Sequence, residues 1–330
     1  SFLYLAIKNL DTKKNKLAHS SVKNLFDILF FILFTASLFI FHSHQGRPFT
    51  YFFIIALSAG FLSLSILFCQ SKFDVVLQIT KILMISFNLK YSIFLSFWGL
   101  GVDYWTHLTM NDNLAQSGFI SVLSGKESFY PLMHIQVAVH QLITSAPIKD
   151  ATNFAVIIPL VLLSLFVFLV ARKLFNARVG LLAMLMVNIT DYHIYWGAAP
   201  QTTTFGVCLF FIFIFTIFQA ATATKSTKKW IFISIFFVPI LILTHAVSSF
   251  IALVAILGLF IGSLTYRYWF EKDGLVFPSV MVFCLYGIML LQHWFVALYN
   301  NMEDKSFFAV IVSTLEYYVT EYADFLNRPE

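Results

Sequence analysis

Long apolar blocks alternate with short polar breaks along almost the whole chain. A helix needs about 20 apolar residues to cross a bilayer. Blocks of roughly that length fall at 24–42, 50–70, 75–98, 151–171, 179–195, 202–222, 230–244, 246–266 and 276–298. A tenth begins near Phe307, but Glu316, Glu321 and Asp324 make it amphipathic, so it reads equally as a surface helix. The pattern breaks over 99–150. This polar island reads GLGVDYWTHLTMNDNLAQSG, then a linker, then YPLMHIQVAVHQL. Within it, 129–146 is apolar enough to suggest a span. However, His134, Gln141 and Ser145 recur along one helical face, and Gln136 and His140 sit on another. That spacing predicts an interfacial amphipathic helix rather than a crossing.

The basic residues test this choice, because short cytoplasmic loops collect Lys and Arg. With 129–146 kept outside, the inner segments hold Lys8, Lys13, Lys14, Lys16, Lys23, Lys72, Arg172, Lys173, Arg178, Lys225, Lys228, Lys229, Arg267 and Lys272. The outer segments hold only Arg47, Lys126, Lys149, Lys305 and Arg328. Were 129–146 a span, the clusters at 172–178, 225–229 and 267–272 would all turn outward. The expected topology therefore has a cytoplasmic N-terminus and puts 43–49, 99–150, 192–201, His245 and 299–306 on one outer face. It also makes the plasma membrane the expected location.

Composition agrees. Charged residues make up 11% of the chain and hydrophobic ones 59%, where a soluble domain carries about 25% charged residues. The expected fold is all-α: a polytopic transmembrane helical bundle of about nine to ten spans, with an outer loop containing interfacial helices. No internal repeat or linker divides it. One membrane domain accounts for 1–330, comprising 1–98 with three spans, the loop 99–150, and the remaining spans in 151–330. The first apolar block is too long for a signal h-region and lacks a small-residue cleavage site. The three cysteines, Cys69, Cys208 and Cys284, lie in apolar blocks without disulfide or metal-finger spacing. The net charge of +5 follows from the loop bias and implies anionic lipid headgroups as partners. No basic patch interleaved with aromatics suggests nucleic acid.

The candidate chemistry sits on the outer face. Asp103 follows the third span in GVDYWTH, and Asp103, His107 and Asn111 recur at i, i+4 and i+8. A carboxylate one turn from a histidine can hold a divalent cation or act as a general base. It can equally be a helix cap beside a solvated imidazole. Asp191 closes the fifth span, in Thr190-Asp191-Tyr192-His193, and returns to the same face. Asp103, Asp191 and His107 are the catalytic candidates, with both aspartates as ligands for a divalent cation such as Mg2+ or Mn2+. His193, Tyr130, His134, His245, Arg47 and Lys126 are the substrate-binding candidates. Lys81 and Lys90 fall inside the third span, where charge is costly. Lys81 is expected to snorkel inward, and Lys90 to pair within the bundle or mark a helix boundary. No Walker loop, GxGxxG, GxSxG or HExxH is present.

The order of these parts resembles GT-C-type integral membrane glycosyltransferases, with the nearest likeness to uncharacterised bacterial and archaeal members. Those families place an acidic residue at the start of a large outer loop, as in Gly101-Val102-Asp103-Tyr104-Trp105-Thr106-His107. A Tyr-Pro-initiated surface helix follows, as in Phe129-Tyr130-Pro131-Leu132-Met133-His134. A basic inner turn comes next, as in Leu169-Val170-Ala171-Arg172-Lys173-Leu174-Phe175 and Val179-Gly180-Leu181-Leu182-Ala183, and a second acid returns at Asp191. The resemblance implies a polyprenyl-phosphate sugar as donor, Asp103 as catalytic base or metal ligand, and Asp191 as organiser of the site. The chain lacks a WWDYG-type motif and the Asp-Glu pair of protein O-mannosyltransferases, since Tyr104 follows Asp103. Two extra spans precede the usual first one, and the chain also reads as the membrane portion of a longer polypeptide. The competing expectation is a non-catalytic subunit in a complex with protein partners. A transporter ranks third.

Overall fold

The computed structural model describes residues 13–44, 47–96, 102–198, 201–222, 226–270, 280–299 and 316. Among them the regular structure is helical throughout. The helices are α1 (Lys13–His44), α2 (Phe49–Leu67), α3 (Lys72–Ser96), α4 (Val102–Ser117), α5 (Leu132–Thr144) and α6 (Ile148–Leu174). They continue as α7 (Ala177–Ile189), α8 (Asp191–Ala198), α9 (Thr202–Thr222), α10 (Thr227–Ile242), α11 (Ala246–Phe270) and α12 (Val280–Tyr299). Among the described residues, five stretches are long and apolar enough to cross a membrane: Ser21–His44, Phe49–Leu67, Ile148–Leu174, Thr202–Thr222 and Ala246–Thr265.

The other expected spans are helical but differ for local reasons. Helix α3 has the length but carries Lys72, Asp74, Lys81 and Lys90. The block 179–195 is two helices, because Thr190 turns to extended backbone (φ −71°, ψ 140°) between α7 and α8. Helix α10 is only 16 residues long. The tenth segment, beginning near Phe307, lies outside the described residues apart from Glu316.

The described residues fall into two compact units. The first draws on 1–104 and 156–200. In it α1 pairs with α2, and α3 packs on α7 and α8. Phe30, Tyr51, Leu62, Ile82, Ile85, Phe168, Leu181 and Leu185 form its apolar core. A Cβ on Gly180 would lie 2.9 Å from the Phe168 ring and backbone oxygen, so glycine lets α7 approach α6 closely after their tight turn. Asn176 caps α7 by accepting from the Val179 N–H at 3.0 Å.

Lys81 does not snorkel. It is fully buried and forms an ion pair with Asp27 of α1. Lys23 holds the other Asp27 oxygen at 2.9 Å and Asp74 at 2.9 Å. Gln78 donates to Asp27 and Ser65. An opposite charge on a neighbouring helix satisfies the ammonium where it stands, so its stem need not reach water. Lys90 does pair inside this unit, donating to Ser86 Oγ at 2.7 Å and Asn188 Oδ1 at 3.2 Å.

The second unit draws on 105–155 and 201–330. Helix α9 packs on α10 and α11, and α12 packs on α10 and α11. Tyr286 is buried here, stacked on Phe213 and donating to the Ser249 carbonyl at 2.9 Å. Helix α5 touches α9, and its first N–H donates to the Leu243 carbonyl at 3.3 Å.

Candidate functional site

Helix α4 buries Tyr104, His107, Leu108, Asn111 and Leu114, a repeat of three and four residues that marks one helical face. His107 and Asn111 share that face, as their spacing predicts. Asp103 stands at its rim in the first turn and is exposed. A carboxylate there is favoured by the unpaired N–H groups of the helix start.

After α4 the chain turns through Gly118 (φ 72°) and Gly125 (φ 65°), both left-handed backbone suited to glycine. Two short 3-10 turns follow, Ile120–Val122 and Gly125–Ser128. The second delivers Glu127, which is buried. Helix α5 then starts at the Tyr130-Pro131 step and ends at Ser145 in the left-handed region (φ 55°). It turns Met133, His134, Val137 and Ala138 inward. Val139, Leu142 and Ile143 face outward, Ile143 with 78% of its surface exposed. A polar residue inside and an apolar stripe outside suit a helix whose outer medium is not water.

His134 is fully buried at the centre of a polar cluster in this unit. Its Nδ1 lies 2.6 Å from Asn111 Oδ1, and its Nε2 lies 3.3 Å from Glu127 Oε2. Asn111 Nδ2 donates to Thr152 Oγ1 at 3.1 Å. The His107 ring lies 5.2 Å from the His134 ring. One ligand atom each from His107, Glu127 and His134 lies within 4.8 Å of the others, and all three residues are buried. Two of them, His107 and His134, stand out in the sequence. Glu127 does not, because it sits in an irregular GKES turn with no periodicity to select it. The two glycines flanking that loop are the sequence signal that the chain doubles back there.

The other expected residues are dispersed. Tyr130 is buried against the His293 ring at 5.3 Å, and burial pushes its phenol up to about 12, so it stays protonated. Asp191 opens α8 in the first unit and is exposed. Among the described residues, neither Asp103 nor Asp191 has a side-chain hydrogen bond or ion pair. His193, on α8, is buried and bonds the Leu160 backbone. Arg47 donates to the Leu89 carbonyl at 3.0 Å and lies over the Phe52 ring, so it ties α2 to α3. His245 meets Thr203 Oγ1 at 3.0 Å and Ser248 Oγ at 3.1 Å in the second unit. The side chain of Lys126 lies outside the described residues.

Residues 134–294 match the family model of the dolichyl-phosphate-mannose-protein mannosyltransferases. That is a GT-C-type family, and the likeness to GT-C glycosyltransferases is borne out, as is the reading of the chain as an enzyme of that type. The chain is thus a membrane glycosyltransferase that draws on polyprenyl-phosphate sugar donors. The match begins at His134. It takes in Asp191, His193 and His245 and leaves Asp103, His107 and Glu127 before it. No curated protein and no solved structure matches the chain.

Proposed function

We propose that this enzyme moves a sugar from its polyprenyl-phosphate carrier to an acceptor at the outer membrane face, with inversion at the anomeric carbon. The observation that supports this reading is the placement of two exposed carboxylates. Asp103 and Asp191 each stand in the first turn of a helix, α4 and α8, that follows an apolar helix, α3 and α7. Both belong to the first compact unit. Neither is committed to an ion pair with a described residue. A carboxylate open to solvent can accept the proton of an acceptor hydroxyl as that oxygen attacks the sugar. Attack on the face opposite the departing phosphate gives inversion.

In this reading Asp103 is the base, and Asp191 orients the acceptor or the donor head. Both present hard oxygen donors of the kind Mg2+ or Mn2+ takes. Such an ion would neutralise charge on the carrier phosphate. Arg47 and His245 act as positioning residues through the helix contacts they make. In this reading the chain sits in the plasma membrane with its N-terminus in the cytoplasm, an orientation that the distribution of basic residues supports.

The test is transfer from a synthetic polyprenyl-phosphate mannose in proteoliposomes, with donor binding measured in parallel. Asp103→Asn should lower turnover by roughly 100-fold or more, the usual worth of a general base. Donor binding should persist. Full turnover in folded Asp103→Asn would end this role for Asp103.

A further inference from the structure

We propose that His107, Glu127 and His134 form a binding site for a transition-metal ion of the Zn2+ type, with a donor set that includes neither Asp103 nor Asp191. The inference does not depend on the proposed transfer reaction.

Geometry comes first. Two ligands about 2.1 Å from a tetrahedral Zn2+ lie about 3.4 Å apart. His134 Nε2 and Glu127 Oε2 are 3.3 Å apart. The third ligand atom, from His107, lies within 4.8 Å of both. Binding would draw the His107 ring inward from α4 to complete the shell. The donor set selects the metal: two imidazoles and one carboxylate suit Zn2+ and its neighbours, whereas Mg2+ and Ca2+ prefer all-oxygen shells.

The surrounding bonds point the same way. Asn111 gives its N–H to Thr152 and so presents its oxygen to His134 Nδ1. His134 Nδ1 is therefore an N–H, and Nε2 is the nitrogen that faces the Glu127 carboxylate inside the protein. A positive charge between them, a proton or a metal ion, makes the arrangement favourable. A proton can bridge two atoms, but here three ligand atoms from three separate segments converge. A ligating His whose other ring N–H is fixed by an oxygen acceptor is the usual outer-shell arrangement at metal sites, and the Asn111 oxygen, oriented by Thr152, supplies that acceptor here. The ion would pin the 118–131 loop to α4 and α5.

The test uses the full chain in detergent, stripped with a chelator and then dialysed against Zn2+ or Co2+ in the presence of excess Mg2+. Mass spectrometry of the metal content should find about one Zn2+ per chain. Co2+ should give the ligand-field absorption of a four- or five-coordinate His/carboxylate site. His107→Ala, Glu127→Gln and His134→Ala should each lose the metal. Asn111→Ala should weaken affinity by roughly 10–100-fold. His140→Ala, which alters a half-buried histidine on the same helix, should change neither reading. If a variant fails to fold, the cobalt spectrum of the wild-type chain decides alone. Metal content no higher than that of a His107→Ala/His134→Ala double variant would overturn the proposal, and so would equal occupancy by Mg2+. The cluster would then be a protonated His134–Glu127 ion pair.

Discussion

Gln136 of α5 donates to the Ala155 carbonyl of α6 at 2.7 Å, and Ala155 is the residue whose carbonyl Pro159 leaves without its helical N–H. A proline in a helix interior removes the bond to the carbonyl four residues back. In a membrane helix that carbonyl needs a replacement donor. Gln136 supplies it and, in doing so, fastens the surface helix to the span.

This relationship predicts a thermodynamic coupling. Gln136→Leu strands a buried acceptor and should cost about 1–3 kcal/mol. Pro159→Ala restores the helical bond, so Gln136→Leu should cost much less in that background. Thermal unfolding of the four proteins in detergent measures the cycle. Equal losses in both backgrounds would mean that Gln136 does not serve the released carbonyl.

The Asp27–Lys81 pair makes a second prediction. Removing one member of a buried pair leaves an uncompensated charge and typically costs about 3–5 kcal/mol. Lys81→Met should destabilise the chain strongly. Lys81→Met with Asp27→Asn should recover much of the loss, since the stranded carboxylate is gone. Lys23, which also holds Asp27, keeps the recovery incomplete. The midpoints of unfolding in the same detergent decide it.

Gly206 offers a steric test. A Cβ there would collide with Ser248 Oγ and lie 3.2 Å from the His245 Cβ. Gly206→Ala should therefore cost about 1–3 kcal/mol, the range for overpacking a fitted contact. Ser248→Gly should rescue it by removing the atoms in the way. Gly206→Ala should also loosen the His245–Thr203 bond, seen as a change in the His245 ring signals by NMR of histidine-labelled protein.

If Asp103 and Asp191 serve one reaction, their losses should not add. Residues acting as a unit give double variants little worse than the worse single one. Asp103→Asn/Asp191→Asn should thus transfer sugar about as slowly as Asp103→Asn alone. Multiplied losses in turnover would separate the two carboxylates into independent roles.

Much of this architecture was legible in the pattern of apolar blocks. Among the described residues the expected segments fall largely on helices, and 129–146 contains a short helix of 13 residues rather than a span. Span length was less legible, because Thr190 breaks a block whose hydropathy runs on without pause. The polar contacts were hardest to read. Lys81 looked costly in isolation, since its partner Asp27 lies far away in sequence, on another helix. His107 and His134 were visible as polar residues in apolar company. Glu127, their companion, looked like an ordinary loop charge, because only the two glycine turns fold it inward.

Beside the outward stripe of Val139, Leu142 and Ile143 on α5, the preceding loop also exposes Phe119, Ile120 and Val122. In water this surface would be an adhesive patch. The segment is therefore no detachable soluble module. Excised for study as a soluble fragment, it would expose its greasy side and self-associate. Amphiphiles are its proper solvent, and any assay of its ligands belongs in a bilayer mimic.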